Sequence, residues 1–177
     1  MSLSTLLEEY SESLVTQLCQ TFRCAINKDL ELFLNDPNKA ISFEKRNITK
    51  TYLYFSKEKE IVAYFTVSLN VLETKNITKT TIKKIDGIDK NRQEIACFLI
   101  AQLGKSDTCT RSLGAYLLSD AIETIKDASD IVGGRIIVLD AIYHPKVITF
   151  YEEYHFVRLE QSNEFTKNIK MYYPLFV

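Results

Sequence analysis

The sequence predicts an α+β (mixed α/β) fold with a largely antiparallel central sheet flanked by helices. Apolar residues recur at helical spacing in the first 47 residues, and aromatic and β-branched runs typical of strands begin at residue 51. Strand and helix patterns then alternate, with no internal repeat and no linker composition. At 177 residues, the chain is predicted to form one domain over residues 1–177.

The N-terminal region is predicted to be helical. Apolar residues between positions 5 and 26 follow helical periodicity. A short helix with an apolar face is expected at Leu30–Leu34, and Asn35–Pro37 ends it because proline cannot continue a helix. Residues 38–47 are more polar and indicate one further helical stretch.

An antiparallel hairpin follows the helical region. The runs Thr51–Phe55 and Ile61–Leu69 have strand composition, and the charged segment Lys57–Glu60 between them indicates a turn. Residues 73–93 are polar and rich in lysine, so we expect a solvated surface loop there, with an edge strand near 80–85 as the alternative.

The central stretch of the chain reads as a buried strand, a polar loop and a helix. The strand is expected at Ile95–Leu103, the loop at Gly104–Gly114 and the helix at 115–125. The first turn of a helix has free N–H groups and a positive dipole end, so this junction could hold an anion. An ordinary connection that binds nothing is the alternative from this stretch alone.

The remaining elements complete the predicted sheet. Arg135–Ala141 has the apolar run of a buried strand, and a helix begins at His144 with proline in its first turn. Two further strands are expected at Phe156–Leu159 and Lys170–Val177.

Composition narrows the class of protein. A net charge of −1 and a pI near 6.2 provide no overall field that attracts nucleic acid, although a local basic patch is compatible with 22 basic residues. The acidic N-terminus, the lack of a long apolar run and four cysteines outside any C-x-x-C pair indicate a cytoplasmic protein with reduced thiols. Two histidines and unpaired cysteines make a metal site unexpected, and no P-loop or G-x-S-x-G motif occurs.

Three segments together resemble a known family. These are Gln102–Gly104 with Arg111–Ala115 around the central loop, the strand end Leu139–Ala141, and the segment Phe150–Phe156. From about residue 50 to the C-terminus, the set resembles the GNAT superfamily of acyl-CoA N-acyltransferases, with Phe-Tyr-Glu-x-x-x-Phe as its most specific element. The region around residues 22–34 looks like the toxin-type and related branches of that superfamily.

The chain departs from the family pattern at two places. The family's loop commonly reads Gln/Arg-x-x-Gly-x-Gly/Ala, and these positions fall on Cys109, Ser112 and Gly114, of which only the last matches. His155 stands where the family often has glycine.

The resemblance implies acetyl-coenzyme A, or coenzyme A, as cosubstrate. Amides near residues 110–115 and the charge of Arg111 would bind the pyrophosphate, and the backbone near Leu103–Lys105 would pair with the pantetheine arm. Lys105 could also meet a phosphate, and His144 stands where the family often places a cofactor-contacting asparagine. The candidate cofactor-binding residues are Leu103, Gly104, Lys105, Thr110, Arg111, Ser112, Leu113, Gly114, Ala115 and His144.

The implied chemistry is attack of a neutral amine on a thioester. Tyr151 is the candidate acid, because a phenol is protonated at neutral pH and can donate to the leaving sulfur. Glu94, at the start of the central strand, is the candidate base, acting through water.

The implied function is transfer of an acetyl group from acetyl-CoA to an amine. The acceptor is left open among small molecules, peptides and aminoacyl-tRNA; the pI argues against nucleic acid, and the toxin-like N-terminal region argues for tRNA. The alternative is a coenzyme A-binding or regulatory module without turnover, which the atypical loop favours. A homodimer is left open as well.

Overall fold

The computed structural model describes residues 1–159 and 167–176. Within those residues it has seven helices and six strands. The helices are α1 (Leu3–Glu9), α2 (Glu12–Cys19), α3 (Lys28–Asn35), α4 (Ala40–Lys45), α5 (Lys79–Asp86), α6 (Gly114–Val132) and α7 (Pro145–Glu153). The strands are β1 (Lys50–Phe55), β2 (Ile61–Glu73), β3 (Glu94–Lys105), β4 (Ile136–Ile142), β5 (Val157–Arg158) and β6 (Asn168–Pro174). Among these helices, none is long and apolar enough to cross a membrane.

The six strands form a sheet in the order β1-β2-β3-β4-β6-β5. The predicted hairpin is confirmed, since β1 pairs with β2 in antiparallel register, with Tyr52 opposite Phe65. β6 runs antiparallel to both β4 and β5, whereas β3 and β4 are parallel and are connected by α6. The prediction of an α+β fold with a largely antiparallel sheet is therefore confirmed. The last predicted strand is β6, and Val177 lies outside the described residues.

The chain divides into two compact units. The first unit contains residues 1–68 and 100–123; the second contains residues 69–99 and the described residues from 124 onward. In the first unit, α1 to α4 bury apolar residues together with β1 and β2. Tyr64 illustrates this core: its hydroxyl donates to the carbonyl oxygen of Leu30 at 2.7 Å, and its ring meets Phe22 edge-on at 5.1 Å.

The predicted helical region between residues 5 and 26 is two short helices. α1 ends at Glu9, and Ser11 then caps α2 by accepting a hydrogen bond from the Leu14 amide at 3.4 Å. A serine in extended conformation starts a new helix because its hydroxyl satisfies a free amide of the first turn. Leu14, one of the apolar residues that follow helical periodicity between positions 5 and 26, is consequently exposed.

The prediction of a loop or edge strand at residues 73–93 is wrong, because this segment contains α5. The Thr78 hydroxyl accepts from the Thr81 amide at 3.2 Å, and Gly87 ends the helix with a positive φ of 85°. Ile82 and Ile85, three residues apart, are buried in the core of the second unit. The threonine cap, the terminal glycine and the isoleucine spacing are ordinary helix signals that the lysine-rich composition obscured.

Candidate active site

The loop that joins β3 to α6 is held at its beginning by the N-terminal region of the same unit. The Ser106 amide donates to the Val62 carbonyl at 2.8 Å, and the Asp107 amide donates to the Arg23 carbonyl at 2.9 Å. The Asp107 carboxylate in turn accepts from the Ala25 amide at 2.6 Å. Backbone bonds from both sides thus fix the first half of the loop.

Lys105 shapes the second half of the loop. Its Nζ donates to the carbonyl oxygens of Cys109 at 2.7 Å and of Arg111 at 3.3 Å. In a trans peptide the C=O and the following N–H point in opposite directions, so the amides of Thr110 and Ser112 point away from Lys105. Neither amide has a hydrogen-bond acceptor in the part of the chain that the structure describes. The loop therefore presents two unpaired donors.

The start of α6 adds further unpaired donors. The first intrahelical bond there runs from the Leu117 amide to the Leu113 carbonyl at 2.9 Å. No described residue accepts from the amides of Gly114, Ala115 or Tyr116, which precede that bond. Side chains cap five other helices, namely those that follow Ser2, Ser11, Asn27, Thr78 and His144. Free amides and the positive dipole end make the α6 start suited to an anion.

A tyrosine on β1 fixes the first two turns of α6. The Tyr54 hydroxyl donates to the Asp120 carboxylate, and the Tyr54 ring lies edge-on to Tyr116 at 6.0 Å. Burial and the Asp120 carboxylate raise the pKa of Tyr54 well above its ordinary value, so this phenol keeps its proton. The sequence gives no signal for this pair, because a strand tyrosine and a helix aspartate 66 residues apart share no local pattern.

Arg111, Gly104 and Gly114, which the sequence predicts to contact the cofactor, have different environments. Arg111 is exposed and has no ion-pair partner among the described residues. Gly104 packs against α3, since a β-carbon there would lie 2.4 Å from Cδ1 of Leu30. Gly114 has no positive φ, so its backbone conformation is one that any residue adopts. Register pairing of β3 with β4 ends at Leu99, which leaves the Ile100–Lys105 edge of β3 without β4 partners.

Tyr151 lies in the last turn of α7, where a Schellman motif closes the helix. The Phe156 amide donates to the Tyr151 carbonyl at 3.0 Å, and the His155 amide donates to the Glu152 carbonyl at 2.9 Å. His155 has a positive φ of 67°, the left-handed conformation that this motif requires. This conformation explains why the family often has glycine there. The rings of Tyr151 and Phe156 pack at 5.6 Å, the apolar contact that accompanies the motif.

The Tyr151 hydroxyl has the properties of a proton donor. Burial raises its pKa to about 12, so the phenol is protonated at neutral pH. The hydroxyl has no hydrogen-bond partner within residues 1–159 and 167–176. An unused donor on a ring held by Phe150 and Phe156 is available to a ligand atom.

His144 and Glu94 occupy the second unit with Tyr151. His144 caps α7, and its Nδ1 accepts from the Lys146 amide at 3.3 Å. Its other ring nitrogen therefore carries the proton of the neutral imidazole. Glu94 is the exposed first residue of β3 and forms no ion pair with the described residues. The predicted cofactor-binding residues from Leu103 to Ala115 belong to the first unit.

Comparison with known proteins adds the fold family. No protein-family model and no curated protein sequence matches the chain. Among solved structures, "AtaTR bound with AcCoA" matches with a TM-score of 0.69 and 22% identity, over 94% of this chain and 91% of that one. "AtaT complexed with acetyl-methionyl-tRNAfMet" matches with a TM-score of 0.68 and 22% identity, over 88% and 86%. A tyrosine-to-phenylalanine mutant of KacT matches with a TM-score of 0.69 and 18% identity, over 93% and 91%. These neighbours are GNAT-fold proteins. The chain has the GNAT fold.

Within the GNAT fold, the sequence located the central strand, loop and helix and the tyrosine-bearing helix α7. The sequence did not reveal that Lys105 binds carbonyl oxygens of the loop. It also did not reveal that Asp120 accepts a hydrogen bond from Tyr54. Lys105 and the carbonyl that it binds are only four residues apart. The sequence still does not distinguish such a lysine from one that binds a phosphate.

The left-handed backbone at His155 generates a stability prediction. Replacing His155 by glycine should raise the free energy of unfolding by about 0.5–1 kcal/mol, because glycine adopts positive φ without a β-carbon clash. The matched control, His155→Ala, removes the same imidazole but keeps a β-carbon. Urea denaturation should show stabilisation for glycine alone; equal stabilities of the two variants would contradict the motif.

Proposed function

We propose that this protein is an acetyl-CoA-dependent N-acetyltransferase. The observation that carries the proposal is the run of unpaired amides from Thr110 to Tyr116, at the start of an uncapped helix in a GNAT fold. A pyrophosphate supplies the acceptor oxygens that such amides require. The exposed guanidinium of Arg111 adds a bidentate donor for a phosphate.

The strand edge before the loop suits the pantetheine arm. Ile100–Lys105 has no register partner in β4, so its backbone groups on that edge are open to a ligand. The amides of pantetheine can pair with such an edge as an added strand does. The thioester would then lie back along β3, opposite to the strand direction and away from the pyrophosphate.

The chain's own groups support the chemical step. The neutral amine attacks the thioester carbon, a C–N bond forms, and collapse of the oxyanion breaks the C–S bond. One proton leaves nitrogen and one reaches sulfur. Tyr151 would donate a hydrogen bond to the developing thiolate, and its pKa of about 12 keeps that donor protonated beforehand. Glu94 would accept the amine proton through water. The buried, unpaired cysteines are compatible with the proposed cytoplasmic location.

Replacing Tyr151 by phenylalanine tests the proposed role of the phenol. Turnover should fall roughly 10²–10⁴-fold while KM for acetyl-CoA changes little, because the lost hydrogen bond forms in the transition state. The measurement is thiol release from acetyl-CoA with a library of amines, and Tyr154→Phe in the same helix is the matched control.

Two outcomes would count against these assignments. Unchanged turnover in Tyr151→Phe would exclude the tyrosine as the acid. Binding of acetyl-CoA, seen as a thermal shift, without transfer to any amine would instead favour the coenzyme A-binding module.

A second candidate narrows the acceptor to aminoacyl-tRNA. A solved structure similar to this chain contains acetyl-methionyl-tRNA. Residues 74–92 of this chain carry six basic and two acidic side chains, although the whole chain has a net charge of −1. Arg92 pairs with Asp86 at 3.0 Å, whereas Lys79 and Lys84 on α5 are exposed and form no ion pair with the described residues. The overall pI therefore conceals a local basic surface that suits phosphates.

Neutralising that surface tests the second candidate. The double change Lys79→Gln and Lys84→Gln should weaken tRNA binding and reduce the magnitude of the slope of log K against log salt by about 1–2. The reason is that tRNA binding then forms fewer phosphate contacts and so releases fewer counterions. Lys39→Gln with Lys57→Gln, which removes the same charge from exposed sites in the first unit, is the control. Equal losses of tRNA affinity in both double variants would contradict a role for α5 in tRNA binding.

A further inference from the structure

Tyr116 is an exposed aromatic residue in the first turn of α6. It is 58% exposed, whereas the next two residues, Leu117 and Leu118, are buried in the core. The ring of Tyr116 therefore takes little part in the packing of α6. An aromatic ring combines a large apolar face with a defined geometry of contact, so this side chain is suited to bind a ligand.

The Tyr116 ring is held in place by its neighbour on β1. The Tyr54 ring lies edge-on to it, with centroids 6.0 Å apart and an angle of 81° between the planes. Tyr54 is fixed in turn by its hydrogen bond to Asp120, one turn further along α6. In an edge-on pair one ring offers only its edge, so Tyr54 covers at most one face of Tyr116. At least one face is open, and a ring that is already ordered loses little entropy when a ligand binds.

The backbone and the side chain of Tyr116 can contact the same ligand. The Tyr116 amide is the last of the unpaired donors that precede the first hydrogen bond of α6. Side chains in an α-helix lean toward the N-terminus of the helix, so the Tyr116 ring leans toward the turn that presents those amides. A phosphate bound to the amides thus has an aromatic ring beside it.

A nucleoside diphosphate matches this combination of donors and ring. Its phosphate oxygens accept hydrogen bonds from the amides, and only the ribose separates them from a flat base. Stacking of a base on an aromatic side chain changes affinity by roughly 5–150-fold. The pantetheine arm has no flat ring, so such a contact would recognise the nucleotide half of coenzyme A.

We propose that Tyr116 stacks on the adenine base of coenzyme A and thereby selects free acyl-CoA over an acyl thioester of phosphopantetheine alone. The unpaired amides bind the pyrophosphate, and the open face of Tyr116 receives the base. The inference rests on the proposed acetyltransferase function, and it specifies the donor class for that function: a thioester that carries a nucleotide.

A fluorescence titration tests the stacking directly. The chain contains no tryptophan, so Tyr116→Trp introduces a single indole that keeps a stacking face. Coenzyme A and adenosine 3′-phosphate 5′-diphosphate should quench its emission in a saturable manner, because a stacked adenine quenches indole fluorescence. Inorganic pyrophosphate, which occupies only the amides, should compete with the nucleotide without quenching. Tyr10→Trp, at another exposed tyrosine of the first unit, is the control and should not respond.

Calorimetry and kinetics measure what the ring contributes. Tyr116→Leu, which keeps an apolar side chain without a ring, should weaken coenzyme A binding about tenfold, and Tyr116→Phe should bind as the unaltered protein does. Affinity for pyrophosphate should be the same in all three. In acetyl transfer, the preference for acetyl-CoA over acetyl-phosphopantetheine, compared by kcat/KM, should fall about tenfold in Tyr116→Leu alone.

The outcomes separate this inference from the proposed function. Unchanged coenzyme A affinity in Tyr116→Leu, equal losses in Tyr116→Leu and Tyr116→Phe, or no quenching in Tyr116→Trp would overturn the stacking while acetyl transfer stands. Quenching and a tenfold loss without transfer to any amine would support the stacking and overturn the enzyme. Failure of coenzyme A to bind the unaltered protein would overturn both.

Discussion

The ammonium group of Lys105 determines what the loop before α6 offers to a ligand. By binding the carbonyls of Cys109 and Arg111, it turns the amides of Thr110 and Ser112 away from itself. The uncapped first turn of α6 continues this row of free donors, and the Tyr54–Asp120 hydrogen bond fixes the helix behind it. The loop thus presents a row of unpaired amides without the usual glycines, because the hydrogen bonds of Lys105 hold the backbone geometry that glycine otherwise permits.

At the end of α7, too, a residue other than glycine adopts a backbone conformation that glycine usually provides. The Schellman motif needs a left-handed residue after the helix, and His155 adopts that conformation where glycine would cost less. The motif places Tyr151 three residues before the cap and packs its ring on Phe156, so the half-buried phenol is held in place, and its raised pKa keeps it protonated at neutral pH. Both departures from the family pattern therefore lie at positions where another side chain, or a small strain, preserves the required backbone.

Much of this architecture is readable from the sequence. The β1–β2 hairpin, the buried strands β3 and β4 and the helix α7 follow from alternation, apolar runs and a proline at a helix start. α5 was missed because six basic residues between 74 and 92 conceal three isoleucines that face the core, namely Ile77, Ile82 and Ile85. Contacts between residues distant in sequence, such as that of Tyr54 with Asp120, have no local signature and require the fold.

Mapping the amides that are proposed to bind the pyrophosphate of coenzyme A tests the proposed site most directly. In an isotope-labelled sample, coenzyme A and adenosine 3′-phosphate 5′-diphosphate should both shift the backbone amide resonances of Thr110, Ser112, Gly114, Ala115 and Tyr116, because these are the unpaired donors. Pantetheine, which lacks the pyrophosphate, should leave them in place. Unshifted resonances at these five amides in the presence of saturating coenzyme A would contradict the account.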